Sequence, residues 1–427
     1  MTDFKKLIDG FKNCECGQDH ECDIKDIRIG SGLVHETGKI LAENNFPKKL
    51  LFVADKNTLK AADGIVDSLK GYDLTFKIYD NIRVATMDDV KSVEKLLDEG
   101  IEGVIAVGTG SVHDPCRLAC ANKNKPLCLF ATAPSMDGFA SYSAPIVDGC
   151  FKITYPAKCP EVIIGDTKIL AAAPAELKSA GFGDMVSKYI AIIDWKVSAL
   201  LTGESYCEKV CNLTRYAVDN IMKMADKVTA DDEETAGMIF ESLLLTGIAM
   251  SFTKTSRPGS GTEHIQAHYW ECKELLQNLV PDFHGTDVGV STLIILKYYK
   301  ELAKFEHVKA KKEVNDWNKI YEVYGELAPD VRKLNTPDTI TDPINPEDIE
   351  KNWGKIREIV ASVPSYEECL EAMKKAGCAI TYKDIGKKKE FVEEGFKYHP
   401  YMRRRLSLKR VSHMLDMDFV KDYKPVD

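Results

Sequence analysis

The sequence predicts an α/β domain built on a parallel sheet, followed by an all-helical region. Two observations carry this reading. Up to Gly165, short β-branched runs alternate with stretches whose apolar residues recur at helix spacing, the signature of a parallel sheet covered by helices. From Thr167 onward, long helix-period segments dominate and no strand run follows Gly165.

The strands are expected at Lys49–Ala54, Thr75–Tyr79, Gly103–Val107, Leu127–Ala131 and Glu161–Gly165, with helices at Asn57–Leu69 and Met87–Leu97 between them. Ala144–Pro156 breaks the rhythm and suits a β-hairpin around Asp148-Gly149, a dipeptide that favours a type I′ turn. The later helices are expected at Met185–Leu200, Glu208–Lys227, Glu233–Phe252, Thr286–Phe305 and Val314–Tyr324, and Asn335–Glu347 as a loop. Residues 1–170 therefore form the expected nucleotide-binding α/β domain, and 171–427 the expected helical domain for metal and substrate. A chain of 427 residues is long enough for two cores.

Composition narrows the function classes. A net charge of −9 argues against a general nucleic-acid or anionic-membrane surface. The N-terminus lacks an apolar signal region, and the most apolar stretch, Ser242–Phe252, falls short of the roughly 20 residues needed for a membrane span. Thirteen scattered cysteines, an odd number, suit reduced thiols rather than a disulfide framework. The expectation is a soluble, cytoplasmic protein.

Two ends of the sequence suggest chemistry. Strand Gly103–Val107 runs into Gly108-Thr109-Gly110-Ser111-Val112-His113-Asp114 and then a helix. A glycine turn at a helix N-terminus lets backbone N–H groups approach a diphosphate, although Gly-x-Gly-x-x-His lacks the third glycine of the dinucleotide fingerprint, and a plain βα turn reads the same way. Asp55, at the end of strand Lys49–Ala54, is either an acceptor for adenosine ribose hydroxyls, favouring NAD over NADP, or simply a helix N-cap.

At the other end, Asp184 closes Gly181-Phe182-Gly183-Asp184 ahead of a helix and could be only its cap. His264 and His268 are one helical turn apart and share a face, and His284 follows in Phe283-His284-Gly285. Imidazoles with a carboxylate suit zinc, and also iron or nickel; a hydrogen-bonded core histidine beside a solvated face is the alternative. The N-terminal Cys14-Glu15-Cys16-Gly17, His20 and Cys22 are close enough for a small zinc site, but the spacing is not Cys-x-x-Cys and no second pair follows, so the segment reads as unligated.

Taken together, Ala54-Asp55-Lys56-Asn57-Thr58, Gly108–Asp114, Thr132-Ala133-Pro134-Ser135-Met136-Asp137-Gly138, Gly181–Asp184, Ser256–His264 and Phe283-His284-Gly285 resemble the sn-glycerol-1-phosphate dehydrogenase family. That family groups with glycerol dehydrogenases, dehydroquinate synthases and iron-containing alcohol dehydrogenases. The resemblance spans roughly residues 50–290 and weakens over the C-terminal part.

It implies a dehydroquinate synthase-like fold with the active site between an α/β and a helical domain, and a homodimer serving phospholipid metabolism. It implies that Asp184, His264 and His284 bind one divalent metal, zinc first among the candidates, and that Asp184 also meets the substrate. His268 and Asp137 would face the substrate as catalytic groups. Asp55, Gly110, Ser111, Val112, His113, Asp114, Thr132, Ala133, Pro134, Ser135 and Ser141 would touch NAD, with NADP possible. The substrate would be a small phosphorylated three-carbon compound: dihydroxyacetone phosphate, interconverted with sn-glycerol 1-phosphate. Arg257, just ahead of the Gly259-Ser260-Gly261 turn, is a candidate for its phosphate, or a structural ion pair. Thr109 departs from the family's usual glycine, so the turn must keep it in an ordinary conformation or be slightly remodelled.

Three rival readings stand beside this one. They are a glycerol or polyol dehydrogenase, a dehydroquinate synthase, and a non-catalytic metal- or metabolite-binding relative. A synthase would be expected to carry more basic residues around the histidines than Glu263, Glu271 and Lys273 supply.

Overall fold

The computed structural model describes residues 2–426. Eight strands form, β1 Asp26–Gly30, β2 Lys49–Asp55, β3 Asp73–Tyr79, β4 Gly103–Gly108, β5 Leu127–Ala131, β6 Ser143–Asp148, β7 Phe151–Pro156 and β8 Val162–Asp166. Six of them make one parallel sheet in the order β1-β8-β5-β4-β2-β3, and β6 pairs antiparallel with β7. The central strands β4, β5 and β8 are buried along their whole length, which is why they read as unbroken apolar runs rather than as alternation.

The helices that matter here are α1 Gly110–Asn122, α2 Ala175–Val186, α3 Lys188–Thr202, α4 Glu233–Thr253, α5 Thr262–Leu276 and α6 His284–Leu302. Among the described residues no strand follows β8.

Several expectations change. Strand β1 was not expected; its DIRIG sequence carries two charges in five residues because it lies at the sheet edge, half exposed beside β8. The helix expected at Asn57–Leu69 is broken at Gly64, whose φ of 90° stops it. The hairpin turns on Gly149 and Cys150, with φ of 55° and 65°, one residue later than Asp148-Gly149. Thr109 is extended, with φ −133°, so the turn absorbs a β-branched residue without strain.

The apolar stretch ending at Phe252 belongs to a longer element than its most apolar part suggested. α4 has the length and composition to cross a membrane, at mean hydropathy 1.4, yet 89% of that window is buried inside the fold. It packs against α2 and the Gly138–Ala140 turn as a core helix, apolar all round because protein surrounds it.

Asp184 is not a helix cap. Gly181–Asp184 lies inside α2, and its glycines are there for close packing. A Cβ on Gly181 would stand 1.9 Å from the Pro134 carbonyl oxygen, and one on Gly285 would stand 2.1 Å from that of Ala180. The backbones of the Thr132–Asp137 loop, α2 and α6 are therefore in contact at these two points. Gly285→Ala should force α2 and α6 apart and cost about 3 kcal/mol or more. A fall in Tm of several degrees checks this; an unchanged Tm would contradict the close packing.

Candidate active site

The sheet reverses its winding between β2 and β4, since β3 lies outside β2 and the later strands extend the other way. Open α/β sheets bind ligands in the crevice beyond the carboxyl ends of strands at such a reversal. Asp55 ends β2, and Gly108-Thr109-Gly110 links β4 to α1 at that same point. Asp55 also caps the helix that follows: its Oδ1 accepts the Thr58 N–H at 2.8 Å, and Thr58 Oγ1 accepts the Asp55 N–H at 3.0 Å.

The other expected dinucleotide residues divide in two. Gly110 and Ser111 open α1, while Thr132, Ala133, Pro134 and Ser135 form the turn after β5, where the Thr132 N–H donates to the Gly108 carbonyl at 3.0 Å. Val112 and His113 point into the core, while Asp114 lies with one carboxylate oxygen against Gly110. The His113 ring is wholly buried edge-on to Phe139, and burial lowers its pKa to about 3. Asp114 pairs at 3.2 Å with Arg117, a fully buried guanidinium that also donates to the Ser143 and Phe139 carbonyls. Val112 is core. Through Arg117, this part of the pattern holds the Phe139–Ser143 loop in place. Ser141 does the same, accepting the Ser143 N–H at 3.1 Å.

The metal candidates converge in the helical part. His264 and His268 come from α5, His284 from the first turn of α6, and Asp184 from α2. The three imidazoles touch, with ring centroids 5.2 Å apart for His264–His284, 5.3 Å for His268–His284 and 6.2 Å for His264–His268. His264 Nε2 lies 3.4 Å from Asp184 Oδ1. Asp137 joins from the neighbouring loop, its N–H donating to Asp184 Oδ2 at 2.9 Å, so the dinucleotide turn and the metal residues are tied directly together.

The set of three donors drawn within 4.8 Å of one another is a different one, His268, Glu271 and His284. Its surroundings suit a cation poorly. One Glu271 oxygen accepts from His284 Nδ1 and the other pairs with Lys152, both at 2.7 Å, while His268 Nδ1 faces the Arg403 guanidinium at 3.2 Å. Burial, Lys152 and Arg403 together hold His268 neutral, its pKa far below the usual range.

In the set of Asp184, His264 and His284 the carboxylate is engaged as well, by Lys188 at 2.8 Å, but each of the two imidazoles has a carboxylate rather than a cation behind it. His264 Nδ1 contacts Glu263 and His284 Nδ1 contacts Glu271, each at 2.7 Å, which leaves Nε2 of both rings as the remaining donor. A carboxylate behind each imidazole is the usual support of a metal-binding histidine. Burial works against charge on His264, yet Asp184 and Glu263 outweigh it and lift its pKa to about 9. A metal bound here would displace the proton that His264 thereby retains, since a ligating imidazole must be neutral. Burial would raise the Asp184 pKa, but Lys188 and His264 carry it well below the carboxylate range.

Several residues here escaped the sequence reading. Lys188 is fully buried and bridges Asp184 Oδ1 at 2.8 Å and Asp137 Oδ2 at 2.7 Å. Asp194 accepts the Thr262 N–H at 2.7 Å and Glu263 Oε1 accepts that of Gly261 at 2.8 Å, fixing the start of α5 and with it the His264 side chain. Lys188 sits one helical turn after Asp184, a spacing that could have been noticed; Lys152 and Arg403 come from distant segments and carry no such signal.

Arg257 is a structural ion pair. Its guanidinium is 4% exposed, donates to both Glu204 oxygens, to Ser198 Oγ and to the Leu406 carbonyl, and so cannot also serve a substrate phosphate. The cations near the histidines are Lys188, Lys152 on β7 and Arg403, so the expectation that few basic residues surround them is also corrected. Lys273 points away, to the Val323 carbonyl.

Residues 28–174 match the iron-containing alcohol dehydrogenase family. Among solved structures of the same fold are an archaeal halo-thermophilic Red Sea brine pool alcohol dehydrogenase (TM-score 0.61, 15% identity, 93% of this chain and 95% of that one). A probable glycerol dehydrogenase from Sinorhizobium meliloti is another (TM-score 0.56, 18% identity, 80% and 98%). The glycerol-1-phosphate dehydrogenase [NAD(P)+] of Thermococcus kodakarensis is 32% identical over 291 residues, 67% of this chain and 80% of that one. Its counterpart in Halalkalibacterium halodurans is 28% identical over 403 residues, 92% of this chain and 94% of the other. The chain belongs to the glycerol-1-phosphate dehydrogenase family.

Proposed function

We propose that this chain interconverts dihydroxyacetone phosphate and sn-glycerol 1-phosphate, using NAD or NADP and one divalent metal, zinc before nickel or iron. The observation that carries this reading is the pair of carboxylate-backed imidazoles, His264 and His284, with Asp184 3.4 Å from His264 Nε2, while Lys152 is paired to Glu271 and Arg403 is set against His268. A bound divalent metal would supply Lewis-acid stabilisation of charge developing on the substrate's C2 oxygen, worth several kcal/mol. A bound nicotinamide would supply or accept the hydride.

The chain's own residues do the rest. Asp184, His264 and His284 hold the metal, and Lys188 balances Asp184 and Asp137. His268 is the proposed proton relay; Lys152 and Arg403 disfavour its charged form, so it would take a proton once a bound phosphate offsets those two cations. Lys152 and Arg403 supply the charge for a phosphate, which a glycerol or polyol dehydrogenase would not need. Four carboxylates with no ligand residue lost argue against a non-catalytic relative. The name borne by the relatives favours this reading over a synthase. In the same reading residues 1–170 carry the nucleotide and 171–427 the metal, in a cytoplasmic homodimer.

Asp55 is proposed to meet the adenosine ribose while capping its helix, so NAD should be preferred. Asp55→Ala should weaken NADH binding by about 1.5–3 kcal/mol and narrow the preference over NADPH; the loss of the cap alone should cost about 1 kcal/mol of stability. An unchanged NADH/NADPH ratio would leave Asp55 only its capping role. The reading as a whole is tested by NADH oxidation with dihydroxyacetone phosphate against unphosphorylated dihydroxyacetone. Turnover on the phosphate ester supports it, and turnover confined to the unphosphorylated compound overturns it.

A further inference from the structure

The thiols and imidazole near the N-terminus assemble with a partner that the local sequence does not contain. Cys14, Cys16, His20 and Cys207 bring one donor atom each to within 4.8 Å of one another. Cys14 Sγ and Cys207 Sγ are 3.7 Å apart, and His20 Nε2 lies 3.2 Å from both Cys16 Sγ and Cys207 Sγ. With metal–sulfur bonds of about 2.3 Å, a tetrahedral centre requires sulfur–sulfur edges of about 3.8 Å and slightly shorter sulfur–nitrogen edges. Cys22, the expected fourth member from spacing, instead lies against Cys159. Its place is taken by Cys207, from the helical region, at the start of the helix Glu208–Met222.

We propose that Cys14, Cys16, His20 and Cys207 form a structural zinc site, separate from the active centre.

Independent features support it. His20 is fully buried between Phe11 and Phe252, and its Nδ1 lies 3.1 Å from the Phe252 carbonyl oxygen. An Nδ1–H donated to that carbonyl fixes the tautomer with the Nε2 lone pair toward the three sulfurs, the support that zinc-binding histidines use. Cys14 and Cys16 reach the same point because the turn between them closes through the Gly17 N–H to the Cys14 carbonyl, with Gly17 at φ 77°. On zinc binding the three thiols each release a proton to solvent, so three thiolates, a neutral imidazole and a dication leave a charge of −1. Cys207 caps the helix Glu208–Met222, whose N-terminal N–H groups face that charge. Lys209, seated over the Phe11 ring and bonded to the Gly10 carbonyl, adds a cation beside Cys14. Four donors in a closed set leave no open position, which makes this a structural site rather than a catalytic one. It would staple the N-terminal arm to the start of one helix and the end of α4.

The test uses the full chain, purified under reducing conditions without added metal, with zinc counted by mass spectrometry and its neighbours read by X-ray absorption. The active centre contains no sulfur donor, so sulfur around zinc can only come from this site. The expected result is about one equivalent of zinc bound to three sulfurs at about 2.3 Å and one nitrogen at about 2.0 Å. The double variant His264→Ala/His284→Ala should keep that equivalent and Cys22→Ser should keep it, whereas Cys16→Ser and Cys207→Ser should lose it. Cys16 is exposed, so Cys16→Ser should fold even if Cys207→Ser does not. Zinc surrounded only by nitrogen and oxygen, a chain that carries no such equivalent, or a Cys14–Cys207 disulfide in the non-reduced peptide map would each overturn the proposal.

Discussion

His284→Ala is expected to cost the protein its active-centre metal and all measurable turnover, while His268→Ala keeps that metal and loses turnover by roughly 10²- to 10⁴-fold. The two rings stack 5.3 Å apart, so the contrast does not come from distance. It comes from what stands behind each ring. Glu271 contacts His284 Nδ1 at 2.7 Å and leaves the far nitrogen available, whereas Arg403 lies 3.2 Å from His268 Nδ1 and brings positive charge to it. A dication beside a guanidinium and the Lys152 ammonium would be repelled; a substrate phosphate would not. Removing one of three ligands leaves two protein donors, too few to retain the ion. Metal analysis of the two purified variants checks this. A His268→Ala protein lacking the active-centre metal beside a metal-replete His284→Ala protein would assign the ion to the His268, Glu271 and His284 trio.

Arg403→Met should raise KM for dihydroxyacetone phosphate about 10- to 150-fold, the loss of one hydrogen bond to a charged group at about 1.5–3 kcal/mol. KM for unphosphorylated dihydroxyacetone should change far less, because no charge is there to be met, although the loss of Arg403 beside His268 can alter turnover of either substrate. The matching control is Arg257→Met. Its loss should lower stability by stranding Glu204, with little effect on the preference for the phosphate ester. If Arg257→Met alone removes that preference and Arg403→Met does not, the phosphate contact lies with Arg257 after all.

The frame of the fold was legible in the sequence wherever a strand is buried on both faces. β4, β5 and β8 lie between covering layers, so every residue but the terminal Asp166 of β8 is apolar and the run is unmistakable. β1 was missed because an edge strand is exposed on one side, and Asp26 and Arg28 pair with each other in solvent. The site was legible to the extent that it is local. His264 and His268 declare themselves by helix spacing, and the glycines of Gly181–Asp184 and Phe283–Gly285 by motif. The supporting groups are not local. Lys152 reaches Glu271 across 119 positions, Arg403 reaches His268 across 135, and Cys207 reaches His20 across 187. No periodicity or spacing reports a contact made only by folding. Arg257 shows the converse hazard, since a cation beside a glycine turn near the histidines looks functional until Glu204 is seen to hold it.

The most direct test removes the metal and returns it. The protein is stripped by a chelator mild enough to leave the cysteine-bound zinc in place, then assayed for NADH oxidation with dihydroxyacetone phosphate before and after one equivalent of divalent metal is restored. The product's configuration is read by whether an enzyme specific for sn-glycerol 3-phosphate oxidises it. The account predicts negligible turnover when stripped, recovery on restoring the metal, and a product that such an enzyme leaves untouched. Full turnover in the stripped protein, or a product consumed as sn-glycerol 3-phosphate, would contradict it.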